Sequence, residues 1–349
     1  MRIATFLTGA TAVLLAASAI AQEESPSADE TETPSSLSDL SDTVNSLSDE
    51  TQAQPGPDSA EPEPAEPQPG EAEATEAAEA APEPSEEAPA AAAEASPPAA
   101  SSGPPPPLSA EQRAELERSA VRGRQLFAVA RAGLLATQDM LSRVADPEAA
   151  GISGWVAEPE GNAMAITFYS DSEGGPAAVY RARVLGGRVV SRDTYLTGDR
   201  PPLTGLALRQ ARARDLSASE DQRACTGQPF NVIAFPPENA EAPIDVYRIS
   251  PPASRNRLPM GGHFRSTVAA DGSLSESRAF SRGCLNVELS EVPAGSQAGP
   301  IAITHLLDPL PTEMHVFLSL FSGRPLVVAA GDPTRLFMVA GDAVREIRR

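Results

Sequence analysis

The chain has 349 residues, a formal net charge of −21, two cysteines and no lysine. With no amine side chain it can build neither a Walker A phosphate loop, nor a Schiff-base or pyridoxal centre, nor a Ser-Lys hydrolase, because guanidinium does not deprotonate and cannot replace the amine. The charge is confined to one stretch: residues 22–107 carry 21 Asp and Glu and no basic residue, whereas residues 108–349 carry 27 acidic residues against 26 Arg. Such a tract repels phosphates, so no nucleic acid is expected among the partners.

The first residues, MRIATFLTGATAVLLAASAIAQ, place one basic residue before an apolar stretch and end on a small-x-small site, Ala19-Ile20-Ala21. Residues 1–21 therefore read as a secretory signal peptide. The apolar run is shorter than the roughly 20 residues that a spanning helix needs, so no transmembrane segment is expected after cleavage. The expected location is periplasmic or secreted, and in that oxidising space Cys225 and Cys284 are most simply one disulfide. Residues 22–107 are Glu, Ala, Pro and Ser with no aromatic side chain. They bury too little apolar surface to offset ordering entropy and read as a disordered acidic tether.

Residues 108–147 read as an amphipathic connecting helix. Ser109 and Gln112 form a capping-box start, and Leu116, Leu126, Ala130, Leu134, Leu141 and Val144 return to one face. Gly123 and Gly133 weaken this helix and mark where it would break, while Glu115, Arg118, Arg122 and Arg143 fall on a solvated face. Residues 148–349 then change to short alternating runs between glycine turns. GISGWVAEP, NAMAITFYSD, AAVYRARVLGG and RVVSRDTYL predict a four-stranded meander, and PPLTGLALRQARARDLSAS predicts an amphipathic helix. Strand-like segments return at FNVIAF, IDVYRI, GHFRSTVAA, SLSESRAF, AGPIAITHLL, PLVVAA and RLFMVAG. The expectation is an α+β domain with a mainly antiparallel sheet and a few packing helices, preceded by the long helix and the acidic arm.

The three histidines, His263, His305 and His315, are the scarce chemical resource. TEMHVFLSL has two readings: a helix capped by Thr312 and ended by Gly323, which is favoured, or a strand folded back on AITHLL that sets His305 opposite His315. The three imidazoles with a carboxylate from Glu313 or Asp308 would make an open zinc site for hydrolysis, Glu313 acting as general base. No spacing matches a ligand motif such as H-E-x-x-H, and separate structural histidines are the preferred account, with no cofactor. Ser153 and Ser296 sit in glycine turns that do not match a nucleophile elbow. Arg248, Arg265, Arg278 and Arg282 read as partnered surface arginines in preference to an anion-binding face.

The combination of MGGHFR with THLLDPLPTEMHVF, preceded by CTGQPFNVIAF and followed by PLVVAA, resembles an uncharacterised family of exported proteobacterial proteins. The resemblance covers roughly residues 148–349 and implies a domain boundary but no activity. The function expected from the sequence is an exported envelope protein with a non-enzymatic binding or structural domain that meets a protein or another envelope component. The alternative is the zinc hydrolase.

Overall fold

The computed structural model describes residues 105–254, 256–290 and 298–348. The signal peptide, nearly all of the acidic tract and Ser296 lie outside the described residues. The described part is α+β, with three helices and four mostly antiparallel sheets. No helix among the described residues is long and apolar enough to cross a membrane.

Helix α1 spans Ala110–Leu141 and begins as the sequence predicts, with Ser109 and Gln112 exchanging capping-box hydrogen bonds. It does not break at either glycine. Instead Ser119, Gly123, Gly133 and Thr137 lie on its buried face with Leu116, Leu126, Val129, Ala136 and Met140. The glycines are points of close approach. A methyl at Gly123 would lie 2.5 Å from the Glu313 carbonyl oxygen and from Val316 Cβ, and one at Gly133 would lie 2.7 Å from the Trp155 ring. Arg122 also departs from the solvated face expected for it: its guanidinium stacks 3.6 Å from the Phe235 ring centroid.

Strands β1 (Ile152–Glu160), β2 (Ala163–Ser170), β3 (Ala177–Leu185) and β4 (Arg188–Thr194) form the antiparallel meander. Its two faces alternate as a pleat requires: Ala157 and Phe168 join the main core around α1, while Val156 and Tyr169 pack on α2 (Gly205–Ala218). The fully buried Gln210 of α2 holds the outer edge of β1, its side-chain amide donating to Ala157 O (2.7 Å) and accepting from Ala157 N (3.1 Å).

The second sheet has the order β5-β6-β8-β9, from Asn231–Ala234, Ile244–Ile249, Phe264–Val268 and Leu274–Ala279. Two three-residue strands, β7 (Arg257–Pro259) and β10 (Asn286–Glu288), form a small antiparallel pair that the sequence reading passed over. The last sheet contains β11 (Ile301–His305), β12 (Leu326–Ala330), β13 (Arg335–Ala340) and β14 (Ala343–Ile347). Within this mainly antiparallel arrangement one pair departs from the pattern, because β11 and β12 are parallel. The chain must therefore cross over between them, and it does so through α3, Glu313–Ser322. Thr312 and the left-handed Gly323 bound this helix, so the favoured of the two readings of TEMHVFLSL is the one observed.

Helix α3 is apolar around most of its circumference, as a helix buried on several sides must be. Phe317 meets Phe127 of α1 edge-on with centroids 6.4 Å apart, and Met314, Val316, Phe317 and Leu318 belong to the core shared by α1 and all four sheets. Gly123 is where the two helix backbones meet. Helix propensity alone would make Gly123→Ala stabilising by about 1 kcal/mol. The methyl would press on a carbonyl oxygen and a Cβ, neither of which can swing aside, and overpacking of that kind costs about 3 kcal/mol. The expected net result is a loss of about 2 kcal/mol in chemical denaturation; a gain would show that α1 and α3 do not approach so closely.

Cys225 and Cys284 form a disulfide across a sequence separation of 59. The bridge joins the loop after α2 to the segment between β9 and β10.

Candidate functional site

The densest set of titratable side chains lies where α1, α3, β6, β8 and the end of β11 meet. His315 is the third residue of α3. Its Nδ1 accepts the Thr312 backbone N–H at 3.0 Å, so the ring closes the open first turn of its own helix. With Nδ1 accepting, the proton sits on Nε2. The His305 ring stands edge-on to it at 4.6 Å between centroids. His305 Nε2 donates to Asp308 Oδ2 at 2.8 Å, and Asp308 also accepts from Arg278 at 2.7 Å. Burial pushes the Asp308 carboxyl up, but the His305 hydrogen bond and the Arg278 guanidinium outweigh it and hold the group below its ordinary range.

Glu313, two residues before His315 on the same turn, accepts from Tyr247 Oη and from Arg265, both at 3.2 Å. Tyr247 Oη accepts in turn from Arg122 Nε at 3.1 Å, and Arg122 is paired with Asp245. Asp245 takes a further hydrogen bond from Thr267 at 2.7 Å. This network of six side chains ties α1 to the second sheet and to α3. Burial and the nearby Glu313 charge raise the Tyr247 hydroxyl pKa, so it stays protonated and serves as a donor. The sequence reading placed Arg122 on a solvated face and did not single out Tyr247. The signal available was IDVYRI, where Asp and Tyr alternate with aliphatics inside a strand buried on both faces.

His263 is almost wholly buried, at 1% exposure, and both ring nitrogens are used. Nδ1 accepts from Ser250 N at 3.2 Å and Nε2 contacts the Pro259 carbonyl oxygen at 3.1 Å, which must accept. Ser250 Oγ donates to Gly262 O at 2.7 Å and accepts from Cys225 N at 3.0 Å, so MGGH wraps the inner side of the disulfide. Of the arginines read as partnered, Arg248, Arg265 and Arg278 have carboxylate partners. Arg248 is not a surface residue: at 2% exposure it is buried against Glu220, which Ser266 and Ser277 also serve. Ser153 Oγ donates to Tyr169 O at 3.3 Å.

The structure thus draws His305 and His315 together beside Asp308, and Glu313 lies on the same turn. The His263 nitrogens are directed at the backbone groups of Ser250 and Pro259. Among the described residues, no three or more His, Cys, Asp or Glu are placed to hold one metal ion. A shallow cleft of about 120 Å³ lies between α2 and the β8–β9 turn, and none of the histidines lines it.

Burial pushes the His263 pKa down to about 4 and, with the neighbouring His305, pushes His315 down to about 3. Both are neutral in the folded protein above pH 5, whereas in the unfolded chain they take up protons from the ordinary value of 6.5 downwards. Depressed folded-state values mean that stability is full above pH 6.5 and falls as the unfolded state protonates. His263 alone should remove about 2 kcal/mol between pH 6.5 and pH 5, and His315 acts in the same direction. Urea unfolding across that window checks this, and His263→Gln should show a shallower slope there.

No protein-family model, curated protein or solved structure matches this chain, so its function has to be read from the geometry of these residues alone.

Proposed function

We propose that the chain is an exported envelope protein, periplasmic or secreted, whose α+β domain binds or braces a protein or another envelope component without catalysis and is carried on the acidic tract as a tether. The observation that carries this reading is that its scarce reactive groups serve as internal struts. His315 closes a helix end, His263 joins two backbone segments beside the disulfide, and Glu313 holds a tyrosine and an arginine. The disulfide suits an oxidising compartment.

The zinc-hydrolase alternative would require His263 to give up both hydrogen bonds and Glu313 to give up both donors before either could act on a metal-bound water. Metal analysis of untagged protein and a thermal shift with and without chelator separate the two readings. The expected result is no bound zinc and no shift; near-stoichiometric zinc with a chelator-sensitive Tm would overturn the binding reading. Deleting residues 22–103 should leave Tm nearly unchanged while preserving the Pro106 carbonyl that accepts from Arg335. A large loss would mean that the tract belongs to the folded body.

A further inference from the structure

The two halves of the disulfide sit in different surroundings. Cys284 is exposed within a run of exposed residues, 282–285, that belongs to no helix or strand, and a Cβ placed on the neighbouring Gly283 would meet nothing within 4 Å. Cys225 is half-buried, with its sulfur packed on Gly262 and its backbone N–H donating to Ser250 Oγ at 3.0 Å. Exchange with a thiolate proceeds at the sulfur that can be reached. Here that sulfur belongs to Cys284, and Cys225 is the leaving group.

The bridge pins the loop of residues 221–229, which runs from Glu220 just after α2 to Phe230 just before β5. Among the described residues, Cys225 alone in that stretch hydrogen-bonds outside it, to Ser250 Oγ and to Asn286 Nδ2, the latter at 3.5 Å. Cutting the bridge leaves the middle of the loop on those two bonds. The loop is also poorly satisfied: Gln222 Oε1 and Thr226 Oγ1, together with Asn286 Oδ1 and Arg248 Nε beside it, are buried with no hydrogen-bond partner among the described residues. Such atoms gain water when a loop lifts, which lowers the cost of lifting it. The ends of the loop cover Arg248. Glu220 is its carboxylate partner at 2.8 Å, and the Phe230 ring centroid lies 5.9 Å from its guanidinium.

We propose that the Cys225–Cys284 bridge is a redox-sensitive latch: an external thiolate opens it in the folded protein by attack at Cys284, and the 221–229 loop then lifts and loosens the cover of Arg248. The attacking sulfur bonds to Cys284 Sγ as the S–S bond breaks, and Cys225 leaves as a thiolate that takes a proton from water. A second external thiolate attacks the first external sulfur, which releases an external disulfide and the Cys284 thiolate, and this is protonated in turn. Two external thiols are oxidised to one disulfide while the protein bridge is reduced to two thiols. The inference goes beyond the binding reading above and does not depend on it.

The test uses the oxidised full chain after signal removal, in native buffer, with reduced glutathione as the probe, an acid quench and mass spectrometry. The expected product is a glutathione adduct on Cys284 with a free thiol on Cys225. Its rate of formation should not change over low urea concentrations, because attack on the folded protein exposes little new surface. After full reduction, amide exchange in residues 221–229 should rise about tenfold or more while α1 and α3 stay protected. Arg248, shielded from phenylglyoxal in the oxidised protein, should become labelled, and reoxidation should reverse both changes. A rate that climbs with urea along global unfolding, an adduct on Cys225, unchanged exchange in 221–229 or an unlabelled Arg248 would each overturn the proposal. Loss of protection in α1 and α3 would overturn it too, because the bridge would then be a staple for the whole fold. A Cys-x-x-Cys peptide run in parallel, compared by the rate of the first step, tells a protein reductant from a small-molecule one.

Discussion

Replacing Cys225 with Ser is expected to lower the stability of the oxidised protein by about 4 kcal/mol, a fall in Tm of about 8–16 °C for a domain of this size. The figure comes from the loop-closure entropy of the sequence separation of 59 between the two cysteines. The bridge joins two loops and not two strands, and the hydrogen bonds Cys225 N to Ser250 Oγ and Asn286 Nδ2 to Cys225 O remain once it is gone. Reduced wild type and oxidised variant should unfold together, because both lack the cross-link. An equal drop for the variant in reducing and oxidising buffer would show that the cost came from lost thiol packing and that the bridge does not form.

Gly262→Ala is expected to cost about 3 kcal/mol. Gly262 has a φ of 70°, which costs an L-residue about 1 kcal/mol. The added methyl would also overlap the Cys225 sulfur and lie 3.0 Å from Ser250 Oγ, and overpacking against a cross-linked atom adds about 2 kcal/mol. Gly272→Ala provides the control: its φ is 85° but nothing lies within 4 Å of its Cβ position, so it carries the backbone cost alone. The difference in Tm between the two variants isolates the overlap. Thiol titration should find free thiols in Gly262→Ala and none in Gly272→Ala. Equal Tm values with intact disulfides would show that the MGGH segment does not press on the bridge.

The parts of the fold written locally were the readable ones. The capping box at Ser109, the period-two runs of the meander and the Thr312-to-Gly323 helix each depend on a few adjacent residues. Strands β7 and β10 are three residues each and exist only because distant segments meet, with Asn286 opposite Pro259. Glycine has two roles that a sequence cannot separate: it weakens an isolated helix, and it lets another backbone approach. Gly123 and Gly133 were read in the first role and act in the second. The parallel pair was in view as strand, helix, strand over residues 301–330, but the hairpins on either side of it suggested an antiparallel sheet.

The candidate site was legible as residue types and not as directions. Scarcity pointed to the three histidines, and His305 and His263 both lie near enough to act on His315. Whether they could share a cation depends on where the lone pairs aim, and backbone groups of Thr312, Ser250 and Pro259 decide that. Arg122 was misread for a related reason. A guanidinium on a helix face is usually solvated, and only the arrival of Phe235, Tyr247 and Asp245 from more than 100 positions away makes it a half-buried tie.

Helix α1 opens the described chain, yet its buried face is completed by elements from the far end. Phe127 meets Phe317, Arg124 meets Asp342, and the Pro106 carbonyl waits for Arg335. A ribosome adding roughly 5–20 residues per second needs about 10–40 s to supply those contacts. Throughout that interval Leu126, Val129 and Met140 have no finished surface to rest against. Until then that face is uncovered apolar surface, so a truncation before β14 is expected to be protease-sensitive.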